Sequence, residues 1–275
     1  MVVSAALVLA AVGTVARAQR MPSITDVYNQ PTATLELPPS DEPWVILDRI
    51  DRTLASASVL QYDVAVEAEG ALAATVPRAW GTVQVSRDAN GGATRVRVAL
   101  SVERSDGSTA AAIVVSDGVT AMLLDPVRRI ATLGADLDAL GAAGRIARQG
   151  LLDDVAAAAR SAVDDPAARA ESLGRETVDG ESCLRVFVAP ESLGEHLYVL
   201  AAPDARWPRR IERVRASADG GVGLVRVGLA DLRIDPPVDP SRFVVEPPAD
   251  FRVVDAANAP AEPLERETTG NPGTR

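Results

Sequence analysis

The 275-residue chain carries 28 arginines and no lysine against 38 acidic residues, a formal net charge of −10, which argues against nucleic acid and anionic membrane surfaces as general partners. Cys183 is the only cysteine, so an intramolecular disulfide and a zinc site of clustered thiolates are both excluded.

Val2 to Val15 is almost wholly apolar or small, and Ala16-Arg17-Ala18 supplies the small-x-small pattern that signal peptidase reads before Gln19. Residues 1–18 are therefore expected to be a signal peptide, although Met1-Val2-Val3-Ser4 lacks the usual positive end. Arg17 interrupts the run before the roughly 20 apolar residues that a membrane span needs. The expected localisation is periplasmic or secreted. Residues 19–42, with Pro22, Pro31, Pro38 and Pro39, show no periodicity and are expected to form a flexible leader. Residues 256–275, with Pro260, Pro263 and Pro272, have the composition of a disordered tail. A single domain is expected over 43–255.

Within it, Asp41 is placed to cap a helix with Pro43 in its first turn, and Leu47, Ile50, Leu54 and Ala57 recur at helical spacing. The period then changes to 2, in Leu60, Tyr62, Val64 and Val66 and again in Val83 and Val85. Arg95 to Val102 alternates most clearly, with Val96, Val98, Leu100 and Val102 on one face and Arg95, Arg97, Ala99 and Ser101 on the other. Asn90-Gly91, Asp106-Gly107, Asp117-Gly118, Asp179-Gly180 and Asp219-Gly220 separate β-patterned runs and tolerate the positive φ of tight hairpins, which predicts an antiparallel meander.

From Asp136 to Val163 the pattern is helical, with Leu137, Leu140, Ile146, Leu151, Leu152 and Val155 among many alanines and with Gly141, Gly144 and Gly150 dividing it. Two or three short helices packed on the sheet are expected there. Strands resume at Arg175–Val178, Cys183–Val188, His196–Leu200, Arg209–Ala216 and Val222–Ile234. In the last, a change of apolar parity between Leu224 and Val225 predicts a bulge. Trp80, Trp207, Phe187 and Phe243 are the large anchors available to a core.

Catalytic chemistry needs a nucleophile with a base, paired carboxylates or metal ligands. His196 is the only histidine. Ser192 lies four residues earlier, and a strand would separate the two by about 13 Å with no acid to orient the imidazole. Asp153-Asp154 and Asp164-Asp165 read as helix-end capping, and Asp231, Asp235 and Asp239 as surface carboxylates without a calcium-loop motif. No enzyme, no cofactor and no metal is expected.

Four stretches occur in a familiar order: Leu173-Gly174-Arg175-Glu176-Thr177-Val178-Asp179-Gly180-Glu181-Ser182-Cys183, Tyr198-Val199-Leu200, Trp207-Pro208-Arg209-Arg210-Ile211 and Phe243-Val244-Val245-Glu246-Pro247-Pro248. This order resembles the LolA-like and LolB-like periplasmic lipoprotein-carrier superfamily, and within it an allied family of predicted periplasmic proteins of unknown function. The likeness runs from Pro43 to Val254. It implies a mainly β (α+β) fold, a strongly curved, incomplete antiparallel β-barrel with an N-terminal helix and a helical lid around an apolar cavity. It also implies a closing strand at Phe243–Pro248, packed against the first helix. Carriers of this kind latch the lid with an arginine on an early strand; Arg78, Arg87, Arg95 and Arg97 stand on early strands here, and motif matches none of them to that role.

The function expected is therefore that of an exported soluble protein that binds or carries a lipid or an acylated protein, without catalysis. The expected cavity lining is Val64, Val66, Val83, Val85, Val96, Val98 and Leu100 from the sheet, with Leu137, Leu140, Leu151, Leu152 and Val155 from the lid. The alternative is an envelope sensor or scaffold domain that binds another protein and holds no lipid.

Overall fold

The structure is a computed structural model and describes residues 41–87, 94–104, 106–164, 170–188, 196–216 and 220–258. The expected signal peptide, nearly all of the leader and of the tail, the Asn90-Gly91 turn and Ser192 lie outside these residues.

The first helix, α1 (Pro43–Ser56), begins with proline at its first positions, where the missing N–H has no intrahelical partner to lose. Ile46, Leu47, Ile50 and Leu54 fall on one stripe and are fully buried. Asp41 does not cap the helix. Glu42 occupies the cap position without a side-chain bond, and Asp41 is ion-paired to Arg175 instead. A proline-led N-terminus already lacks one orphan donor, which lowers the value of a carboxylate cap.

Six strands follow: β1 (Val59–Gly70), β2 (Ala79–Ser86), β3 (Arg95–Glu103), β4 (Thr109–Ser116), β5 (Ala121–Asp125) and β6 (Ile130–Gly134). A 3-10 turn at Asp138–Leu140 leads into α2 (Gly141–Gln149) and α3 (Asp153–Asp164), as the glycine- and alanine-rich pattern predicts. Gly144 is no divider, because it lies inside α2, where an added Cβ would stand 1.8 Å from the Leu137 carbonyl oxygen. The missing side chain lets the 3-10 turn press onto the helix.

The second meander comprises β7 (Ala170–Val178), β8 (Glu181–Val188), β9 (His196–Ala201), β10 (Arg210–Ala216) and β11 (Val222–Ile234), close to the expected runs. Asp179 and Gly180 both adopt positive φ, 49° and 83°, between β7 and β8, the conformation that a two-residue hairpin loop demands.

The twelve strands among the described residues form one sheet in the order β12-β6-β5-β4-β3-β2-β1-β11-β10-β9-β8-β7, where β12 is Arg252–Asp255. The long strands β1 and β11 pair along most of their length and join the two meanders. The sheet is curved and unclosed, with β7 and β12 as its unjoined ends, as expected of an incomplete barrel. One pairing departs from the antiparallel pattern, since β12 runs parallel to β6.

Two further expectations are corrected. The parity change in β11 marks no bulge, because Gly223, Val225, Val227 and Leu229 are buried on a single face while Val222 and Leu224 stand on the other. The register slips instead near Asp231, whose φ is 53° and which lies where Gln61 and Asp63 of β1 face Arg233 and Ala230. Phe243 to Pro248 forms no closing strand against α1. Phe243 ends a 3-10 turn (Pro240–Phe243) that packs on β3 and β4, and the chain continues as a strap to β12. The prolines of Pro247-Pro248 cannot donate to a ladder, so pairing waits until Arg252.

Candidate functional site

Each strand contributes every second residue to the face that the helices cover. In β1 these are Leu60, Tyr62, Val64 and Val66; in β2, Ala79, Val83 and Val85; in β3, Val96, Val98, Leu100 and Val102. The second meander adds Leu184, Val186 and Val188, then Leu197 and Val199, then Ile211, and finally Val225, Val227 and Leu229. Together with the buried stripe of α1, Ile146 of α2, Val155 of α3 and Leu151 and Leu152 between those helices, they make one apolar cluster. The structure brings all twelve expected lining residues into it, with Leu137 half-buried at its edge and the others buried. The expectation stopped at β3, although the alternation in β8 and β11 already placed half of the inner face in the second meander.

The helices face this surface with small side chains. Ala143, Gly144 and Ala147 of α2 and Ala156, Ala158 and Ala159 of α3 are buried. Small residues bury little apolar area each, on the order of 25 cal/mol per Å², so α2 and α3 are held less by their own side chains than an equal length of leucine-rich helix would be.

Polar bonds supply the remainder, and they gather where the helices end. Tyr62, 1% exposed on the inner face of β1, donates its hydroxyl to the Gly150 carbonyl at 3.1 Å. Arg213, 2% exposed on the inner face of β10, donates to the Gln149 carbonyl at 2.9 Å. Arg87, at the end of β2, donates to the Leu54 carbonyl at the end of α1 and reaches Asp153 at the start of α3 at 3.3 Å. On the far side of α1, Arg49 donates to the Pro203 carbonyl at 2.5 Å.

The last carbonyls of a helix have no intrahelical donor and carry the negative end of its dipole, so arginine and tyrosine donors there meet a partial charge of the right sign. Burial, reinforced by the nearby Asp153 carboxylate, pushes the Tyr62 phenol far above its ordinary range, so the hydroxyl remains a donor at every physiological pH. Arg213 is a buried cation that sequence patterning missed, because a strand reading Ile211-Glu212-Arg213 looks like apolar-in, polar-out with one exception. Its only clue was that Arg213 shares the parity of Ile211. Among the early-strand arginines, Arg87 joins sheet to helices in this way. Arg78 is paired with Glu67, and Arg97 lies on the opposite face of the sheet.

The residues weighed for chemistry do not converge. His196 is exposed on β9 with its ring centroid 5.5 Å from that of Phe187. Asp235 accepts the N–H groups of Ser58 and Val59, both at 2.8 Å, and Asp239 that of Ser241 at 2.9 Å, so both carboxylates cap backbone turns. Asp153 is ion-paired to Arg87, and Cys183 is buried beside Val178 and Leu200 on the outer face. Of the expected core anchors Phe243 is buried and Trp207 packs against the main core, whereas Trp80 is 41% exposed on the outer face, because its parity in β2 is opposite to that of Ala79 and Val83.

No family model matches the chain, and no curated relative does. Solved structures do. The chain is similar to LprF from Mycobacterium bovis, at 15% identity over 74% of this chain and 97% of that one with a TM-score of 0.43. It is similar to a putative outer membrane lipoprotein-sorting protein domain from Vibrio parahaemolyticus, at 10% identity over 72% and 95% with a TM-score of 0.35. A LolA superfamily protein from Nitrosomonas europaea matches at 12% identity over 74% and 97% with a TM-score of 0.33.

Proposed function

We propose that the chain is a non-enzymatic carrier of the cell envelope that holds an acyl chain, of a lipid or of a lipidated protein, between the inner face of its sheet and the α2–α3 pair. One observation carries the reading: apart from Arg213 and the Tyr62 hydroxyl, the inner-face side chains of both meanders form a single apolar cluster, and the buried residues of the α2–α3 pair over it are mostly alanine and glycine. Displacing two such helices exposes less apolar area than displacing leucine-rich ones, and each methylene of an incoming chain contributes roughly 0.8 kcal/mol toward replacing what is lost.

The polar bonds fit the same reading. Tyr62, Arg213 and Arg87 hold the α2–α3 junction at Gln149, Gly150 and Asp153, and Arg160 pairs α3 with Asp51 of α1 at 3.0 Å, so entry of an acyl chain would have to part that exposed pair while the junction stays tied to the sheet. The expected signal peptide supports an envelope location.

Native mass spectrometry with lipid extraction, on protein purified from its own envelope, tests this directly. A co-purifying acyl ligand, lost from Val98→Trp and Leu152→Trp variants that keep the wild-type circular dichroism, is the expected result. A homogeneous ligand-free mass, with no fatty acid or phospholipid taken up on titration, overturns it.

A further inference from the structure

The inner face of β1 and β11, the strands that join the two meanders, carries an apolar stretch. Val64, Val66 and Ala68 of β1 lie opposite Leu229, Val227 and Val225 of β11, and all of them belong to the large apolar cluster or pack against it. At one end of the stretch Tyr62 is tied to Gly150. At the other end, beyond Ala68 and Val225, Gly70 faces Gly223. There the turn between β1 and β2 folds in over the sheet, with Leu72 5% exposed in the same cluster.

Two glycines admit that one side chain. Gly223 lies on the inner face, and a Cβ there would stand 2.8 Å from Leu72 Cβ and closer still to its Cγ, so Leu72 rests directly on the β11 backbone. Gly70, with φ 63°, lets the chain reverse at the end of β1, where a side chain would meet the Val222 carbonyl oxygen at 2.6 Å. Hydrogen bonds then wind the turn in place. The Ala71 N–H donates to the Val222 carbonyl at 3.2 Å, and the Leu72 carbonyl accepts from the N–H groups of Val76 at 2.9 Å and Thr75 at 3.1 Å. The Thr75 hydroxyl adds a third bond to that carbonyl at 3.3 Å.

A leucine seated on backbone and held by its own turn does not yield as a flexible methionine would, because close-packed interiors resist even one added methylene. Leu72 therefore bounds the stretch at the end away from Tyr62. A chain lying along β1 and β11 gains burial with each methylene until its end reaches Leu72. Any further methylene stays in water or displaces the turn.

We propose that Leu72 sets the longest acyl chain that the protein accepts. This inference rests on the carrier reading above, and it makes chain length the property by which the site selects among acyl ligands.

Displacement of a bound fluorescent fatty acid from the full chain by saturated fatty acids, in a series from octanoate to docosanoate, tests it. Affinity in the wild type is expected to rise about fourfold per added carbon and then to stop rising at one length. Leu72→Val and Leu72→Ala should move that break to longer acids, by about one carbon and about two carbons respectively, with the shorter acids bound as in the wild type. Thermal melts show that each variant is folded, and Leu72→Val, the milder change, carries the test where Leu72→Ala does not fold. A break that stays in place in a folded variant, or an equal loss of affinity at every length, which a residue that only packs would produce, overturns the proposal and leaves the carrier reading standing. Affinity that rises in the wild type without a break overturns it as well. Absence of displacement by any acid overturns both.

Discussion

Replacing Tyr62 by phenylalanine removes one oxygen and leaves the ring in place. In the native protein that oxygen satisfies the Gly150 carbonyl, itself buried, at the junction of α2 and α3. An orphaned buried carbonyl costs about 1–3 kcal/mol, partly offset because the phenol no longer has to be desolvated, so the variant is expected to lose about 1–2 kcal/mol near neutral pH. The pH dependence is more diagnostic. Burial holds the folded-state pKa of Tyr62 above that of the unfolded chain, near 10, so the unfolded state releases the proton first. The contribution is fully present below about pH 10 and is lost as the pH rises beyond it, with a slope approaching 1.4 kcal/mol per pH unit. The chain contains no lysine, so this alkaline window is unusually free of other titrations. Urea unfolding from about pH 8 to about pH 12 should therefore show wild-type stability falling more steeply above about pH 10 than that of Tyr62→Phe, the two curves converging as pH rises. Amide exchange of α2 and α3 should be faster in the variant at neutral pH. Parallel alkaline limbs, together with unchanged exchange in α2 and α3, would refute the assignment of Tyr62 as a buried tie between sheet and helices.

Arg213→Met removes the donor to the Gln149 carbonyl while keeping a chain of similar length, and should destabilise by about 1.5–3 kcal/mol in chemical denaturation, with faster exchange concentrated in α2. Leu152→Ala, at a fully enclosed position, should cost about 2–5 kcal/mol, and bound acyl chain should reduce that loss by filling the space vacated. Gly144→Ala puts a methyl 1.8 Å from the Leu137 oxygen and should lower the melting temperature by displacing the 3-10 turn, despite alanine's better helix propensity. Asp117 accepts from the N–H groups of Val119 and Thr120, both at 2.8 Å, which holds its carboxyl below the ordinary value of 3.8. That contribution is present above the ordinary value and is lost as pH falls through the lowered one. Asp117→Asn should accordingly be less stable than wild type at neutral pH and approach it in acid, as read from denaturation midpoints.

Much of this architecture follows from local pattern. The alternation in Arg95–Val102, the positive-φ residues at Asp179-Gly180 and the 3.6-residue spacing of Ile46, Leu47, Ile50 and Leu54 are properties of a few neighbouring residues, and each specifies its element almost alone. So do the helical segment after Asp136 and the twelve apolar positions that came together in one cluster, since alternation decides which side chains share a face. What local pattern leaves open is anything that depends on which distant segments meet. The pairing of β1 with β11, the parallel approach of β12 to β6 and the strap over β3 and β4 join residues far apart in the chain, and no short window encodes them. Asp41 was free to cap α1 until Arg175 arrived beside it, whereas the outward position of Trp80 was already legible from its parity opposite to Val83 and Val85. The roles of Tyr62 and Arg213 belong to this second class. Periodicity can say that a polar residue lies on a given face, but the partner that makes its burial tolerable is set only when the helix ends are packed against the sheet.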